Sequence, residues 1–215
     1  MSSDALAVTP RQTAEPPRNR RQGETFRKVL AAGMETLREK SYADLTVRMV
    51  AARAKVAPAT AYTYFSSKNH LIAEVYLDLV KRVPYFTDVN DPMSTRVENT
   101  LRHLALVVAD EPEVGAACTT ALLGGGADSA VNAVRDRIGA EIHRRIASAI
   151  GPGADPRTVS VLEMTFFGAL VQLGSGEFTY HKIAERLTDV VSFVLAGSTR
   201  TATAVDGRQK SGGDA

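Results

Sequence analysis

The stretch "TVRMVAARAKVAPATAYTYFSSKNHLI", residues 46–72, decides how the rest of the chain is read. Val47, Val50, Ala51 and Ala54 fall on one stripe at helical spacing, and the Thr46 hydroxyl suits the position that caps such a helix. A turn at Lys55 and Val56 follows, and Pro58 fits the first position of a short helix ending near Tyr64. Ser66 or Ser67 then caps a longer segment, Lys68 to about Val83, where Leu71, Ile72, Val75, Leu79 and Val83 recur at helical spacing. The middle helix is too short to bury much, yet it carries two phenols among alanines and threonines. Two helices joined by a tight turn, the second short and led by small residues, describe a helix-turn-helix.

In that motif the second helix enters the major groove, and its N-terminal residues meet base edges. Ala57, Pro58, Ala59 and Thr60 are small enough to let the backbone approach DNA. An alanine or the threonine methyl suits a thymine methyl, and the threonine hydroxyl suits a base edge. Tyr62, Tyr64 and Lys68 carry groups that reach phosphate oxygens, contacts that position a protein without reading sequence. Phe65 is the residue expected inside. Arg48 and Lys55 either solvate a face or join the DNA contacts, as do Arg18, Arg20 and Arg21 ahead of the first helix.

The charge distribution agrees with a polyanion partner at the front. Residues 1–82 carry 14 Lys or Arg against 8 Asp or Glu, whereas the remainder carries 12 against 16. A single cysteine, Cys118, rules out an internal disulfide and suits a reducing compartment; it reads most simply as a buried, inert thiol. The opening "MSSDALAVTPRQTAEPPRNRRQ" has no apolar core behind a basic start, so no secretory signal is expected, and no apolar run is long enough to span a bilayer. These features predict a cytoplasmic protein without a membrane partner.

Between two polar ends nearly every segment has helical periodicity, and no strand-like alternation appears, so the fold class is all-α with about nine helices. The expected organisation is a disordered arm at 1–18, a DNA-binding unit at 19–70, a helical body at 71–197 and a loose tail at 198–215. The first helix is expected over Gln22–Glu39. The eighth, "TVSVLEMTFFGALVQLG", carries one charge, Glu163, and is apolar all round. Val159, Leu162, Phe166 and Leu173 serve its own core, which leaves Val161, Met164, Gly168 and Val171 for a second subunit. On the ninth helix Leu187, Val191 and Val194 are assigned to the same interface.

Residues 46–72, with the helix before them, resemble the signature of the tetracycline-repressor (TetR) family of transcriptional regulators. The resemblance rests on Thr46, the Thr60-x-Tyr62-x-Tyr64-Phe65 run and Lys68 at fixed spacing. Two positions depart from it: Lys55 stands where the family's turn usually has Gly, and Ala57 where a Ser or Thr usually opens the recognition helix. The resemblance implies a homodimer paired through the last two helices, and with it a palindromic double-stranded DNA operator. It also implies a small-molecule effector held among the middle helices, and a fourth helix that relays its binding to the DNA-binding unit. Candidate lining residues are His103, Cys118, Thr119, Leu122, Phe166, Phe167 and Gln172, whose chemistry suits a mostly apolar ligand.

Enzymatic motifs are missing. There is no Gly-rich phosphate loop, no G-x-S-x-G and no metal-ligand spacing, and His70, His103, His143 and His181 are scattered. No catalytic residue, metal or cofactor is expected. The alternatives left open are a similar DNA binder without an effector, and a helical enzyme or carrier using a cavity in the body.

Overall fold

The computed structural model describes the backbone of residues 17–209 apart from 125, 127 and 175–177, and side chains over 20–197 except 125, 127 and 174–177. Among the described residues there are nine α-helices and no strand: α1 (Pro17–Glu39), α2 (Val47–Arg53), α3 (Pro58–Tyr64), α4 (Lys68–Arg82), α5 (Met93–Leu106), α6 (Pro112–Gly124), α7 (Ser129–Ile150), α8 (Pro156–Gly174) and α9 (Tyr180–Gln209). The helix starts follow local chemistry. Thr46, Ser67 and Asp128 each accept a backbone N–H in the first turn of α2, α4 and α7.

The two ends differ from expectation. α1 starts at Pro17, ahead of Gln22 and inside the predicted arm, because proline at a first helical position gives up only an N–H that has no helical partner. Residues 1–16 of that arm lie outside the described residues. α9 runs on to Gln209, through most of the stretch read as a tail. Extending a formed helix adds one hydrogen bond per residue, and no proline interrupts this sequence. Residues 210–215 lie outside the described residues.

α4 forms the axis of the fold, packing against α1, α6 and α7. Every residue from Leu71 to Leu77 is buried, including Glu74. Around it α5 packs on α7 and α9, and α8 on α7 and α9. One hydrophobic core joins Phe65 of the front helices to Leu162, Phe166 and Leu195 at the rear. The expected unit boundary at residue 70 therefore falls inside α4, which serves both parts.

Leu187 and Val191 were expected to meet a second subunit. They are 2% and 0% exposed within their own chain, on the face of α9 turned to the core, and Val194 is half-buried against the same core. A helix that is apolar on several sides gives no sequence signal for which side faces inward. By contrast Val161, Met164, Gly168 and Val171 are all exposed, a stripe along α8 that includes Met164 at 72%. Phe193 of α9 is exposed at 80%.

The far end of α4 is closed by Arg145 of α7, whose side chain is 1% exposed. Its Nε donates to the Val83 carbonyl at 3.0 Å and its Nη2 to the Lys81 carbonyl at 2.9 Å, while Nη1 lies 2.8 Å from Oε1 of buried Glu141. The guanidinium thus satisfies carbonyls that the helix end leaves without partners. Arg145→Ala strands both carbonyls and leaves buried Glu141 to Arg144 alone, and is expected to cost about 3 kcal/mol of stability. Urea unfolding of the two proteins measures the difference; an unchanged midpoint contradicts the capping role.

Candidate functional site

The front of the molecule is a compact group in which α2 packs on α1 and α3. Phe65 is fully buried and stacks on Phe26 with centroids 5.0 Å apart, and Ala61 is buried beside them. These inward residues fix which face of α3 looks out. Ala57, Pro58, Ala59, Thr60 and Tyr62 are exposed together, Tyr62 at 46%. Arg48 and Lys55 are exposed on the adjoining surface of α2 and its turn. The result is a small-residue ridge bordered by two cations and a phenol.

The turn before that ridge is a Schellman closure. The Val56 N–H bonds to the Ala51 carbonyl at 2.9 Å and the Lys55 N–H to the Ala52 carbonyl at 3.1 Å. The geometry requires a left-handed residue at the apex, and Lys55 occupies it with φ 56°. A side chain there costs about 1 kcal/mol relative to glycine. Ala57 leaves α3 without a side-chain cap, and Pro58 opens the helix as expected.

Three residues of this face, Thr46, Tyr64 and Lys68, were expected among the DNA contacts, and each also has a partner within its own chain. Thr46 is exposed, but its Oγ1 accepts the Met49 N–H at 3.2 Å and caps α2. Tyr64 is half-buried, its ring edge-on to Phe26 at 6.0 Å, so the phenol is first a packing group. Lys68 was expected to meet phosphate. Its Nζ instead donates to the Tyr42 carbonyl at 2.8 Å and the Ala43 carbonyl at 3.2 Å, 4.3 Å above the Tyr42 ring. The ammonium ties the start of α4 to the turn after α1. Arg20 and Arg21 are exposed on the first turns of α1, while the side chain of Arg18 lies outside the described residues.

Behind the front helices lies a cavity of about 570 Å³, within the range of small-molecule sites. α6 contributes Gly115, Cys118, Thr119 and Leu122, α7 contributes Ile138 and Gly139, and α8 contributes Phe167, Leu170 and Val171. Cys118, Thr119, Leu122 and Phe167 were expected there. His103, Phe166 and Gln172 were too, but they do not line it. His103 is exposed on α5 beside the Phe86 ring, Phe166 is wholly buried in the core, and Gln172 is exposed on α8. Tyr76 of α4 and Tyr180 of α9 also line the cavity and were missed in the sequence. Their only signal is a tyrosine within the aliphatic face of α4 and a glycine in the first turn of α6. A Cβ on Gly115 would stand 1.9 Å from the Tyr180 hydroxyl, so only glycine admits that phenol.

The cavity walls are fastened to the front helices by polar contacts. Ser67 Oγ, at the start of α4, donates to the Asp128 carboxylate at 2.8 Å, at the start of α7. Arg137 of α7 donates to buried Glu74 of α4 at 2.6 Å. Arg38 of α1 donates to Glu111, just ahead of α6, at 2.7 Å. The Asp128 carboxyl is held below its usual range first by the Ser67 hydrogen bond, and Glu111 by its hydrogen bond to Arg38. Among the described residues no group of three or more His, Cys, Asp or Glu is placed to hold a metal. No helix there is long and apolar enough to cross a membrane.

A helix-turn-helix with an exposed small-residue recognition helix, mounted on a helical body, defines a DNA-binding transcriptional regulator rather than an enzyme. The family model of bacterial regulatory proteins of the tetR family matches residues 29–75. Helix-turn-helix-type transcriptional regulators of Mycobacterium bovis and Mycobacterium tuberculosis are 75% identical over 209 residues, covering 94% of this chain and 98% of each relative. The chain belongs to the TetR family. Its fold is similar to that of a TetR transcriptional regulator from a Rhodococcus species, with TM-score 0.69 and 21% identity over 83% of this chain and 98% of the other. It is also similar to FadR of Bacillus subtilis, solved with stearoyl-CoA, at TM-score 0.54 and 13% identity over 77% and 97%. The multidrug-binding protein EbrR, solved with imidazole, has TM-score 0.56 and 18% identity over 87% and 97%.

The lone thiol gives a direct check on the rear packing. Cys118 is 1% exposed, and burial pushes its thiol up to about 12. A raised value keeps the sulfur protonated at pH 8, where an unfolded cysteine already forms some thiolate. A disulfide-exchange reagent at pH 8 is therefore expected to label the protein only after denaturant is added. Labelling of the native protein within minutes contradicts this packing.

Proposed function

We propose that this regulator is a repressor that binds a palindromic operator as a homodimer in the cytoplasm and is released by a small, mostly apolar effector. In this reading residues 19–70 form the DNA-binding unit and 71–197 the effector-binding and dimerisation body. Ala57, Pro58, Ala59 and Thr60 meet the major groove, with Thr60 reading a base edge. Tyr62, Arg48 and Lys55 flank them on phosphates. Tyr64 and Lys68 hold the recognition helix in position.

The observation that carries the effector reading is that α6 and α7 form cavity walls and are also tied to the front helices. A ligand that fits one arrangement of those helices better than another shifts the DNA-binding unit by its differential affinity. That two structural neighbours were solved with small organic molecules supports the same use of the body. The dimer reading rests on the exposed α8 stripe of Val161, Met164, Gly168 and Val171, with Phe193 nearby in the chain's rear bundle. Apolar side chains of this size on one helix face suit a second subunit, and a two-fold pairing presents two recognition helices to one DNA face.

Genome-wide mapping of bound sites supplies the operator, and ligand-dependent loss of binding to that DNA tests the mechanism; binding without any symmetric site contradicts the dimeric repressor. Arg48→Ala is expected to flatten the log–log salt dependence by about one for each phosphate interaction removed per subunit. Tyr62→Ala weakens all sequences alike, while Thr60→Val changes the preferred site at a cost of about 1–3 kcal/mol. Lys68→Met lowers the melting temperature and leaves the salt slope intact, because its ammonium binds carbonyls of its own chain. Fluorescence anisotropy across a salt series separates these outcomes, and a flattened slope for Lys68→Met overturns its assignment as a positioning residue. Met164→Glu is expected to yield monomers by light scattering and to abolish tight operator binding. A dimeric variant counts against the α8 interface.

A further inference from the structure

The cavity has a polar end. Its mouth is marked by exposed Leu123, Asp136, Phe167 and Val171, while Tyr76, Gly115 and Cys118 on its wall are buried. Tyr76 is 4% exposed, and its hydroxyl is buried with no hydrogen-bond partner among the described residues. Tyr180 lines the same end, its phenol lodged over Gly115, and it too makes no hydrogen bond among the described residues. Cys118 stands close enough to act electrostatically on both phenols. An unpartnered buried hydroxyl costs about 1–3 kcal/mol, so a ligand group that accepts from it recovers free energy the apo protein forgoes.

The lining holds two charged residues, Arg135 and Asp136. Arg135 donates to the Leu122 carbonyl and, at 2.9 Å, to Asn132, and Asp136 is exposed. Among the described residues Arg135 is the one cation of the lining, and its guanidinium is already engaged by the Leu122 carbonyl and Asn132. Resting on the effector reading above, we infer that the cavity takes an uncharged ligand: an apolar body carrying one neutral acceptor, such as a ketone, ester or ether oxygen, received by the Tyr76 and Tyr180 hydroxyls. A carboxylate there would be desolvated, and the one guanidinium of the lining, Arg135, would have to leave the Leu122 carbonyl and Asn132 to pair it. Burial raises the Tyr76 and Tyr180 phenols and the Cys118 thiol, which is the same penalty on negative charge registered by the protein's own groups.

The test uses the full chain and three ten-carbon probes, 2-decanone, decanoate and decane, with titration calorimetry at pH 8. The ketone is expected to bind about tenfold or more tightly than decanoate. The double variant Tyr76→Phe/Tyr180→Phe is expected to lose roughly three- to tenfold in ketone affinity and to leave decane unchanged. Without ligand the same variant should melt no lower than wild type, because the hydroxyls it lacks had no partner. Decanoate binding as tightly as the ketone overturns the assignment, as does unchanged ketone affinity in the variant. A fall in its ligand-free melting temperature by more than about 5 °C also overturns it, since the hydroxyls would then serve the fold. Absence of binding by all three probes overturns it as well. Operator release, followed alongside, separates the two readings. Release by decanoate retains the effector mechanism and removes the neutral ligand. Ketone binding that leaves the DNA complex intact retains the site and removes the mechanism.

Discussion

Helix α4 has no solvent face between Leu71 and Leu77, and the rest of the fold is organised around that enclosure. A helix buried on every side cannot slide or turn without carrying α1, α6 and α7 with it, because packed interiors repack between discrete arrangements rather than deform smoothly. Its one buried charge, Glu74, is matched by Arg137, and its end is received by Arg145. The helix is thus held at its start by Ser67 on Asp128, in its middle by an ion pair and at its end by a guanidinium. All three of these partners belong to α7 or to the residue that caps it.

That arrangement explains why front and rear read as separate units in sequence but share one core in space. The charge asymmetry and the motif at 46–72 separate them chemically. The continuous core from Phe65 to Phe166 joins them mechanically. The front helices are tied to the cavity walls through α6 and α7 as well as through α4.

The front of the molecule was the most legible in the sequence, because its information is local. Thr46, Pro58, Ser67 and Phe65 each declare a cap, a helix start or an inward side chain through their own chemistry and their neighbours. Even the departure at Lys55 was visible, since a Schellman turn needs a left-handed residue whatever occupies it. The rear was less legible for a physical reason. α8 and α9 are apolar on several faces, so periodicity could not say that Leu187 and Val191 face inward while Met164 faces out. Lys68 misled because spacing reports a position and not an acceptor; two carbonyls after α1 reach its ammonium. The cavity tyrosines come from helices about a hundred residues apart in sequence, and only tertiary packing brings them to one wall.

Gly115 bears on that wall in a way its size conceals. Because the Tyr180 hydroxyl occupies the place of an absent methyl group, the side chain that begins α9 ends against the backbone of α6. A single added carbon there would evict the phenol tip from its notch and redraw the wall of the chamber. Room for a guest is thereby set by a hydrogen atom on α6 as much as by the ring on α9.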